Sequence, residues 1–369
     1  MRGDGFAQAG GHAGGHAGGH AGGHAGGHAG GHAGGHAGGH EAGQHAGSGP
    51  SPLLSAALLA NQEGVRGGWD MDPAVTLPKK PEGMNYLAGL RRIQTLLGQT
   101  APHFHVRPEK GNAASLVYAG KSIAHITQPN IGYAKRTPCN ELAPQLELMR
   151  GYSDLRVDRM AEIQIQLGDI TSFFGQAARL NPRDRKATME ILSIVQGLCV
   201  PLEMQMKHML FLPRPGEIDP RVLPIIQTPD HSAYPAGHAV EAFALATILD
   251  RLMSKRMGPT GDWPLPARIA HRISVNRVIA GVHYPMDCLA GAVIGCAFAE
   301  AFLHLVEDQA ELVSRKFGEA ADVLTLDATP ANITKARKGT KLKALKPSGC
   351  PTDLIKAHWQ MAVGEWTSK

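Results

Sequence analysis

The sequence predicts an all-α protein folded as a helical bundle. Apolar residues make up 43% of the chain and aromatic residues only 5%. Ala, Leu, Ile and Met dominate the periodic stretches, which favours helices over a β sandwich. From Asn140 onward, the pattern is that of successive helices separated by Pro and Gly.

Composition divides the 369 residues into four segments. Residues 1–50 are almost entirely Gly, Ala and His, so we predict a disordered tail. Residues 51–139 contain several helix breakers and are predicted to be an irregular lead-in with short helices. Residues 140–327 are expected to form the catalytic helical domain, and residues 328–369 a basic C-terminal tail.

Five helices are predicted within the catalytic segment. Asp154–Leu180 is amphipathic and is stopped by Asn181 and Pro182. Arg183–Leu212 is expected to bend at Pro201. A Pro is tolerated in a first helical turn, so it can open the last helix. The remaining three helices are expected at Ala239–Leu252, Ala267–Ala280 and Pro285 to about Val306.

Charge and cysteine usage exclude several classes of protein. The formal net charge of +5 is too small to indicate a nucleic-acid partner. The basic run 335–346 is interpreted as a solvated tail, with a polyanion-binding patch as the alternative. Five cysteines, an odd number without CxxC spacing, do not indicate a disulfide framework.

The sequence also carries an expectation about membranes. No signal peptide is recognisable at the N-terminus. The most apolar segment, 288–306, contains Glu300 and His304 and is interpreted as a buried core helix rather than a span. We therefore expect no transmembrane segment and a soluble protein, cytoplasmic by default.

The N-terminal tail repeats Gly-Gly-His-Ala. Two glycines in each repeat make a stable helix implausible, so the segment should be a coil that can wrap a divalent metal. A metal-buffering role and a repeat expansion without function are weighed equally. The candidate tail ligands are His12, His16, His20, His24, His28, His32, His36 and His40.

Two short blocks in the second half of the chain combine cations with an imidazole. Lys207 lies near a helix end among apolar residues, and Arg214 follows it with Pro215. A cation in apolar surroundings needs an anion. Further on, Gly237 and His238 directly precede a predicted helix, whose N-terminal N–H groups attract anions. A glycine there lets the backbone approach a ligand closely.

A third block follows, in which Arg277 and His283 flank an apolar run that should be buried. Asp287 lies four residues after His283 at the start of a predicted helix, so its carboxylate can reach the imidazole. Such a pair fixes the tautomer of the histidine and leaves its other nitrogen as a nucleophile or metal ligand. Together the three blocks suit a tetrahedral oxyanion.

These residues resemble a known superfamily: type 2 phosphatidic acid phosphatases, bacterial class A acid phosphatases and vanadium-dependent haloperoxidases. Its shared pattern is K-x6-RP, PSGH and SR-x5-H-x3-D, and this chain has Lys207…Arg214-Pro215, Pro235-Ala236-Gly237-His238 and Asn276-Arg277…His283…Asp287. The similarity covers roughly Asn140 to Val306. The resemblance implies a helical bundle of the acid phosphatase/vanadium haloperoxidase type.

The resemblance also implies a role for each matching residue. Lys207, Arg214, Arg277 and the Gly237 N–H would bind phosphate or vanadate. His238 would be the general acid and base. His283 would be the phosphoryl-accepting nucleophile, or the vanadium ligand in a haloperoxidase, with Asp287 orienting it.

Two positions depart from the family pattern. Ala236 replaces a Ser whose hydroxyl would donate to the anion, and Asn276 replaces the Ser before Arg277. The loss at 236 removes one donor without removing the chemistry. Both residues, together with His231, are candidates for supporting positions behind the anion-binding groups.

Three functions remain open at this point. We favour a phosphoric monoester hydrolase that needs no cofactor, because His283-Tyr284-Pro285-Met286-Asp287 is similar to the phosphatase branch. A vanadate-dependent haloperoxidase using halide and peroxide is the alternative, because His231 is similar to a second His of algal bromoperoxidases. A non-catalytic oxyanion- or metal-binding protein is the third. The expected partner is a small-molecule substrate, and a homo-oligomer is compatible with the sequence.

Overall fold

The computed structural model describes residues 52–65, 79, 83–131, 140–254, 263–307, 312–319, 321–342 and 352–367. The N-terminal histidine repeats, His12 to His40, lie outside the described residues. Twelve α-helices occur in the described parts of the chain. They are α1 (Pro52–Val65), α2 (Gly89–Thr100), α3 (Ala143–Tyr152), α4 (Arg156–Ile165), α5 (Thr171–Ala178), α6 (Lys186–Met209), α7 (Pro215–Ile218), α8 (Gly237–Ser254), α9 (Leu265–Ile279), α10 (Pro285–Val306), α11 (Pro330–Ala336) and α12 (Asp353–Thr367).

The prediction of an all-α fold is wrong, because the described residues include a five-stranded mixed sheet. Neighbouring strands pair in chain order, antiparallel except for the parallel pair β3–β4. The short hairpin turn at Ala119 and Gly120 has positive φ at both residues, which matches the twist of the flanking strands. The strands are β1 (Phe104–Glu109), β2 (Ala113–Tyr118), β3 (Lys121–Thr127), β4 (Val313–Phe317) and β5 (Thr340–Lys341).

The core of the helical part is α10, which is buried along its whole length. It packs against α8 at two glycines. A Cβ added to Gly295 would lie 2.2 Å from the backbone oxygen of Val240, and one added to Gly291 would lie 2.5 Å from the oxygen of Ala236. Only glycine permits this approach of the two backbones. The N-termini of α8 and α10 are therefore held side by side.

Four of the predicted helices are confirmed, and one is not. The helices expected at 239–252, 267–280 and 285–306 are α8, α9 and α10, with ends shifted by two residues at most. The helix expected at 183–212 is α6, with Pro201 inside it. The single helix expected over 154–180 is wrong, because the chain leaves α4 at Ile165 and begins α5 at Thr171.

Part of the segment interpreted as a basic tail is packed structure. In α12, Trp359 is fully buried, and the Glu365 carboxylate accepts from the backbone N–H groups of Ala187 and Thr188 at 2.7 and 2.9 Å. A carboxylate at this position satisfies N–H groups that the first turn of a helix leaves without partners. The C-terminal helix thus caps α6, the helix that carries Lys207.

The expectation of no transmembrane segment is also corrected. Two helices, Lys186–Met209 and Pro285–Val306, are long and apolar enough to cross a bilayer. Most of the first and all of the second are covered by the rest of the protein. A core helix meets the same criteria of length and composition as a membrane span, so the two helices are weak evidence for a membrane location.

Candidate active site

The ends of five helices bring the predicted residues together. Lys207 lies in the last turn of α6, and Arg277 in the last turn of α9. His238 lies in the first turn of α8 and Asp287 in that of α10, while Arg214 directly precedes α7. The N-terminal ends of α8 and α10 add partial positive charge to the three cations. The site is therefore suited to a multiply charged anion.

His283 is held by hydrogen bonds at both ring nitrogens. Its Nδ1 lies 3.0 Å from Asp287 Oδ2, and its Nε2 lies 3.0 Å from Arg214 Nη1. A guanidinium can only donate, so Nε2 is the acceptor and carries the lone pair. Nδ1 therefore carries the proton and donates it to Asp287. The tautomer is the one in which Nε2 can act as a nucleophile.

Asp287 has two tasks in this arrangement. Oδ2 accepts from His283 and from the backbone N–H of Tyr284, which fixes the carboxylate to the start of α10. Burial raises the pKa of Asp287, while burial and the cations Arg214 and Lys207 lower the pKa of His283 well below its ordinary value. The imidazole is therefore neutral, as a nucleophile must be.

Four of the five guanidinium N–H groups of Arg214 donate to other parts of the protein. Nε donates to the carbonyl of His231, Nη1 to that of Val282 and to His283, and Nη2 to the Nδ1 of His231, at 2.8–3.0 Å. Burial and, secondarily, the cations Lys207 and Arg214 together lower the pKa of His231 to about 4. His231 is therefore neutral, and its Nδ1 accepts a hydrogen bond from the Arg214 guanidinium.

Lys207 is almost completely buried at the end of α6. Its Nζ donates to the carbonyls of Ser232 and Pro235 at 3.0 and 2.6 Å, which leaves one proton for another acceptor. Burial and Arg214 lower the pKa of Lys207 to about 7, and the carboxyls of Glu203, Asp287 and Glu241 oppose that shift. An anion bound beside it would favour the charged ammonium.

Arg277 has nitrogens without acceptors. Nη2 donates to the carbonyl of Ile163 at 3.2 Å and to Gln166 Oε1 at 3.0 Å. Nε and Nη1 are buried and have no acceptor among the described residues. Burial lowers the pKa of Arg277 to about 10, so the group stays charged at neutral pH. A buried cation with two unused donors indicates an anion site.

His238 is positioned from outside its own helix. Its Nε2 lies 2.9 Å from the backbone oxygen of Gln166, so Nε2 carries a proton and the ring is oriented by that carbonyl.

The residue before His238, Gly237, is a glycine because of the packing around it. A Cβ added there would lie 2.4 Å from Glu203 Oε1. The glycine therefore admits a buried carboxyl next to the start of α8.

The two positions that depart from the family pattern are both buried. The N–H of Ala236 donates to the carbonyl of Asp287 at 3.0 Å, so this backbone joins the starts of α8 and α10. Asn276 Nδ2 donates to Glu162 Oε2 at 3.0 Å and to Gln166 Oε1 at 3.1 Å. Asn276 therefore acts on the site through Gln166, which also holds Arg277.

Reasoning from the sequence missed three residues at this site. Glu203 lies four residues before Lys207 on α6, so helical spacing could have indicated it. Glu241 accepts from Gln196 at 2.6 Å, and burial raises its pKa to about 7. Gln166 follows α4 at the far side of the site, and no local pattern in the sequence indicates it.

Comparison with known proteins agrees with the geometry. Residues 188–311 match the family model described as the PAP2 superfamily. This segment contains all six charged or histidine residues of the three blocks. Decaprenylphosphoryl-5-phosphoribose phosphatase from two strains of Mycobacterium tuberculosis is 29% identical over 76 residues, which is 21% of this chain and 38% of the relative. The chain thus matches well under half the length of those relatives.

Proposed function

We propose that this chain, in which residues 188–311 form a PAP2 superfamily domain, is a phosphatase that hydrolyses phosphate monoesters through a phosphohistidine at His283. The observation that carries the proposal is the tautomer of His283, with its Nε2 lone pair directed to the cationic site. The phosphatase relatives support the same class of reaction.

Substrate binding would begin with the cations. Arg214, Lys207 and the free edge of Arg277 supply donors for the phosphoryl oxygens, and they act in a site largely closed to water. In the structure, Arg214 Nη1 donates to His283 Nε2. A phosphoryl oxygen is a stronger acceptor because it is charged. Binding would therefore draw that donor away and release the nucleophile.

The chemistry would then follow in two steps. Nε2 of His283 attacks phosphorus, and the bond from phosphorus to the ester oxygen breaks. A doubly protonated His238 gives its Nδ1 proton to the leaving alcohol, while its Nε2 keeps the proton that it donates to the Gln166 carbonyl. Water next attacks the phosphohistidine as His238 takes its proton, which releases phosphate and restores Nε2. Asp287 stabilises the positive charge that His283 carries in between.

The test is His283→Ala, assayed on p-nitrophenyl phosphate, with circular dichroism to follow the fold. Turnover should be lost in a folded protein, and rapid quenching of the wild type into alkali should trap a phosphohistidine. His208→Ala, which replaces the exposed histidine next to Lys207 in the chain, should retain full activity. Near-normal turnover in folded His283→Ala would exclude the proposal.

A vanadium-dependent haloperoxidase is the second candidate. It is favoured by His231, whose Nδ1 accepts a hydrogen bond from Arg214. The same residues fit vanadate, because Nε2 of His283 offers a ligand atom and the orphaned Arg277 nitrogens offer donors. Vanadate, when bound, would activate peroxide for halide oxidation. Assays of bromide oxidation with and without vanadate would separate the two enzymes. Phosphate binding without either turnover would identify a non-catalytic oxyanion-binding protein.

A further inference from the structure

Gln166 contacts three residues at the proposed site from outside the PAP2 segment. It is fully buried just after the end of α4. Its backbone oxygen is 2.9 Å from His238 Nε2, and its side-chain Oε1 accepts from Arg277 Nη2 at 3.0 Å and from Asn276 Nδ2 at 3.1 Å. One residue thus contacts the general acid, one cation and the residue that precedes that cation.

The orientation of the Gln166 carboxamide follows from its partners. Arg277 can only donate, so the atom that faces it must be the oxygen. Asn276 presents its nitrogen to the same atom, because that nitrogen also donates to the carboxylate of Glu162. The Nε2 of Gln166 therefore takes part in neither bond. It is buried and has no acceptor among the described residues.

The unused donors lie on adjacent side chains. Arg277 Nε and Nη1 share their guanidinium with the nitrogen bonded to Gln166, and Gln166 Nε2 shares its carbon with the accepting oxygen. A buried N–H without an acceptor is destabilising, so several in one place are best explained by an acceptor that several can share. A tetrahedral oxyanion is such an acceptor.

We propose that Gln166 is a further oxyanion-binding residue, which donates from Nε2 to the bound phosphoryl group while its Oε1 aligns Arg277. This rests on the proposed function, since the anion is the phosphate of the substrate. It also provides a donor in a chain that has Ala236 where the family pattern has a serine hydroxyl. Gln166 then joins the residues that set affinity for the phosphoryl group.

The experiment measures the affinity for inorganic phosphate by calorimetry in the full-length protein. Gln166→Met removes both donor and acceptor at similar length, and should weaken phosphate binding by at least about tenfold, the effect of one hydrogen bond to a charged group. Gln166→Glu keeps an acceptor for Arg277 but loses the N–H donor. At about pH 8 it should bind phosphate at least as weakly as Gln166→Met.

A pH series distinguishes a direct donor from a structural role. As pH falls toward about 5, the carboxyl introduced by Gln166→Glu takes up a proton and can donate, so the affinity ratio between wild type and this variant should shrink. Gln145→Met is the matched control. Gln145 is fully buried and forms hydrogen bonds with the backbone of Leu324, Leu326 and Met286. Its replacement should lower the stability of the protein but not its affinity for phosphate.

Each result bears on the inference. Wild-type affinity in Gln166→Met overturns it, as does an equal loss in Gln145→Met. If Gln166→Glu binds phosphate with wild-type affinity at both pH values, Gln166 only aligns Arg277, and the direct contact with phosphate is overturned. Phosphate binding that depends on Gln166 in a protein without phosphatase turnover would support the inference while rejecting the proposed function. No phosphate binding by the wild type rejects both.

Discussion

At the scale of single residues, Arg214 shows why the three blocks need those residue types. Its three nitrogens make four hydrogen bonds in different directions, to two carbonyls and two imidazoles. A lysine offers one nitrogen and cannot reach all four acceptors at once. The planar guanidinium therefore joins His231 to His283 and has one further N–H that a bound anion could accept from.

We expect Arg214→Lys to lower kcat/KM for p-nitrophenyl phosphate by at least about tenfold, roughly 1.4 kcal/mol of transition-state binding. Inhibition by phosphate should weaken in parallel. Arg221→Lys is the matched control, because the side chain of Arg221 is 88% exposed and pairs with Asp219 at the surface. Equal rates in the wild type and Arg214→Lys would show that Arg214 does not contact the reacting group.

Contacts between single residues were both the easiest and the hardest features to predict from the sequence. His283 and Asp287 are four residues apart, so helical geometry alone predicts their contact. Gln166 contacts residues 72, 110 and 111 positions away in the chain. No spacing rule reaches that far, and the residue lay inside a stretch interpreted as the middle of one helix.

At the scale of elements, the contact of α8 with α10 sets the spacing of the two histidines that we propose to be catalytic. His238 begins α8 and His283 precedes α10, and the glycines at 291 and 295 let those helices touch backbone to backbone. The three helices that were predicted best, α8, α9 and α10, are 15 to 22 residues long with Pro or Gly near their starts. Their ends could therefore be read from local signals.

We expect Gly295→Ala to destabilise the protein by about 1–3 kcal/mol, the usual effect of overpacking a tight core contact. It should also lower kcat, because α8 would move away from α10. Gly98→Ala is the control on α2, where a Cβ meets nothing within 4 Å. That change should raise stability by about 0.4–1 kcal/mol. Urea denaturation measures both, and an unchanged midpoint for Gly295→Ala would contradict the close packing.

At the scale of the whole molecule, the sheet could not be predicted because its partners are distant in the sequence. β3 pairs with β4, and Ser314 donates to the Ser122 carbonyl across 192 positions. The hairpin turn uses Ala119 and Gly120 rather than the Asn-Gly that usually signals such a turn. All six residues of β2 are buried, so they lack the alternation typical of a strand with one exposed face.

Buried carboxyls make the stability of the whole fold depend on pH. The pKa of Glu241 is raised by burial to about 7, so the folded protein keeps its proton while the unfolded chain loses it near pH 4.5. The contribution of Glu241 to the free energy of unfolding is therefore largest below about pH 4.5. It is lost as the pH rises from there to about 7, by up to about 1.4 kcal/mol per pH unit.

We therefore expect Glu241→Gln, which resembles the protonated acid, to remove this part of the pH dependence. Urea unfolding between about pH 5 and pH 8 should show the free energy of the wild type falling relative to the variant. A constant difference between the two proteins over this range would mean that Glu241 does not change its protonation there.

The hydrogen bond from Arg214 to His283 has a consequence for chemical selectivity. A lone pair shared with a guanidinium is a poor base, so the resting imidazole should resist acylating and alkylating reagents that modify ordinary histidines. An oxyanion that occupies Arg214 would remove this protection. Inert anions such as sulfate should then make His283 more reactive toward small electrophiles, although the same anions exclude the substrate. Reactivity at this residue is thus conditional, and the condition is the presence of negative charge in the pocket.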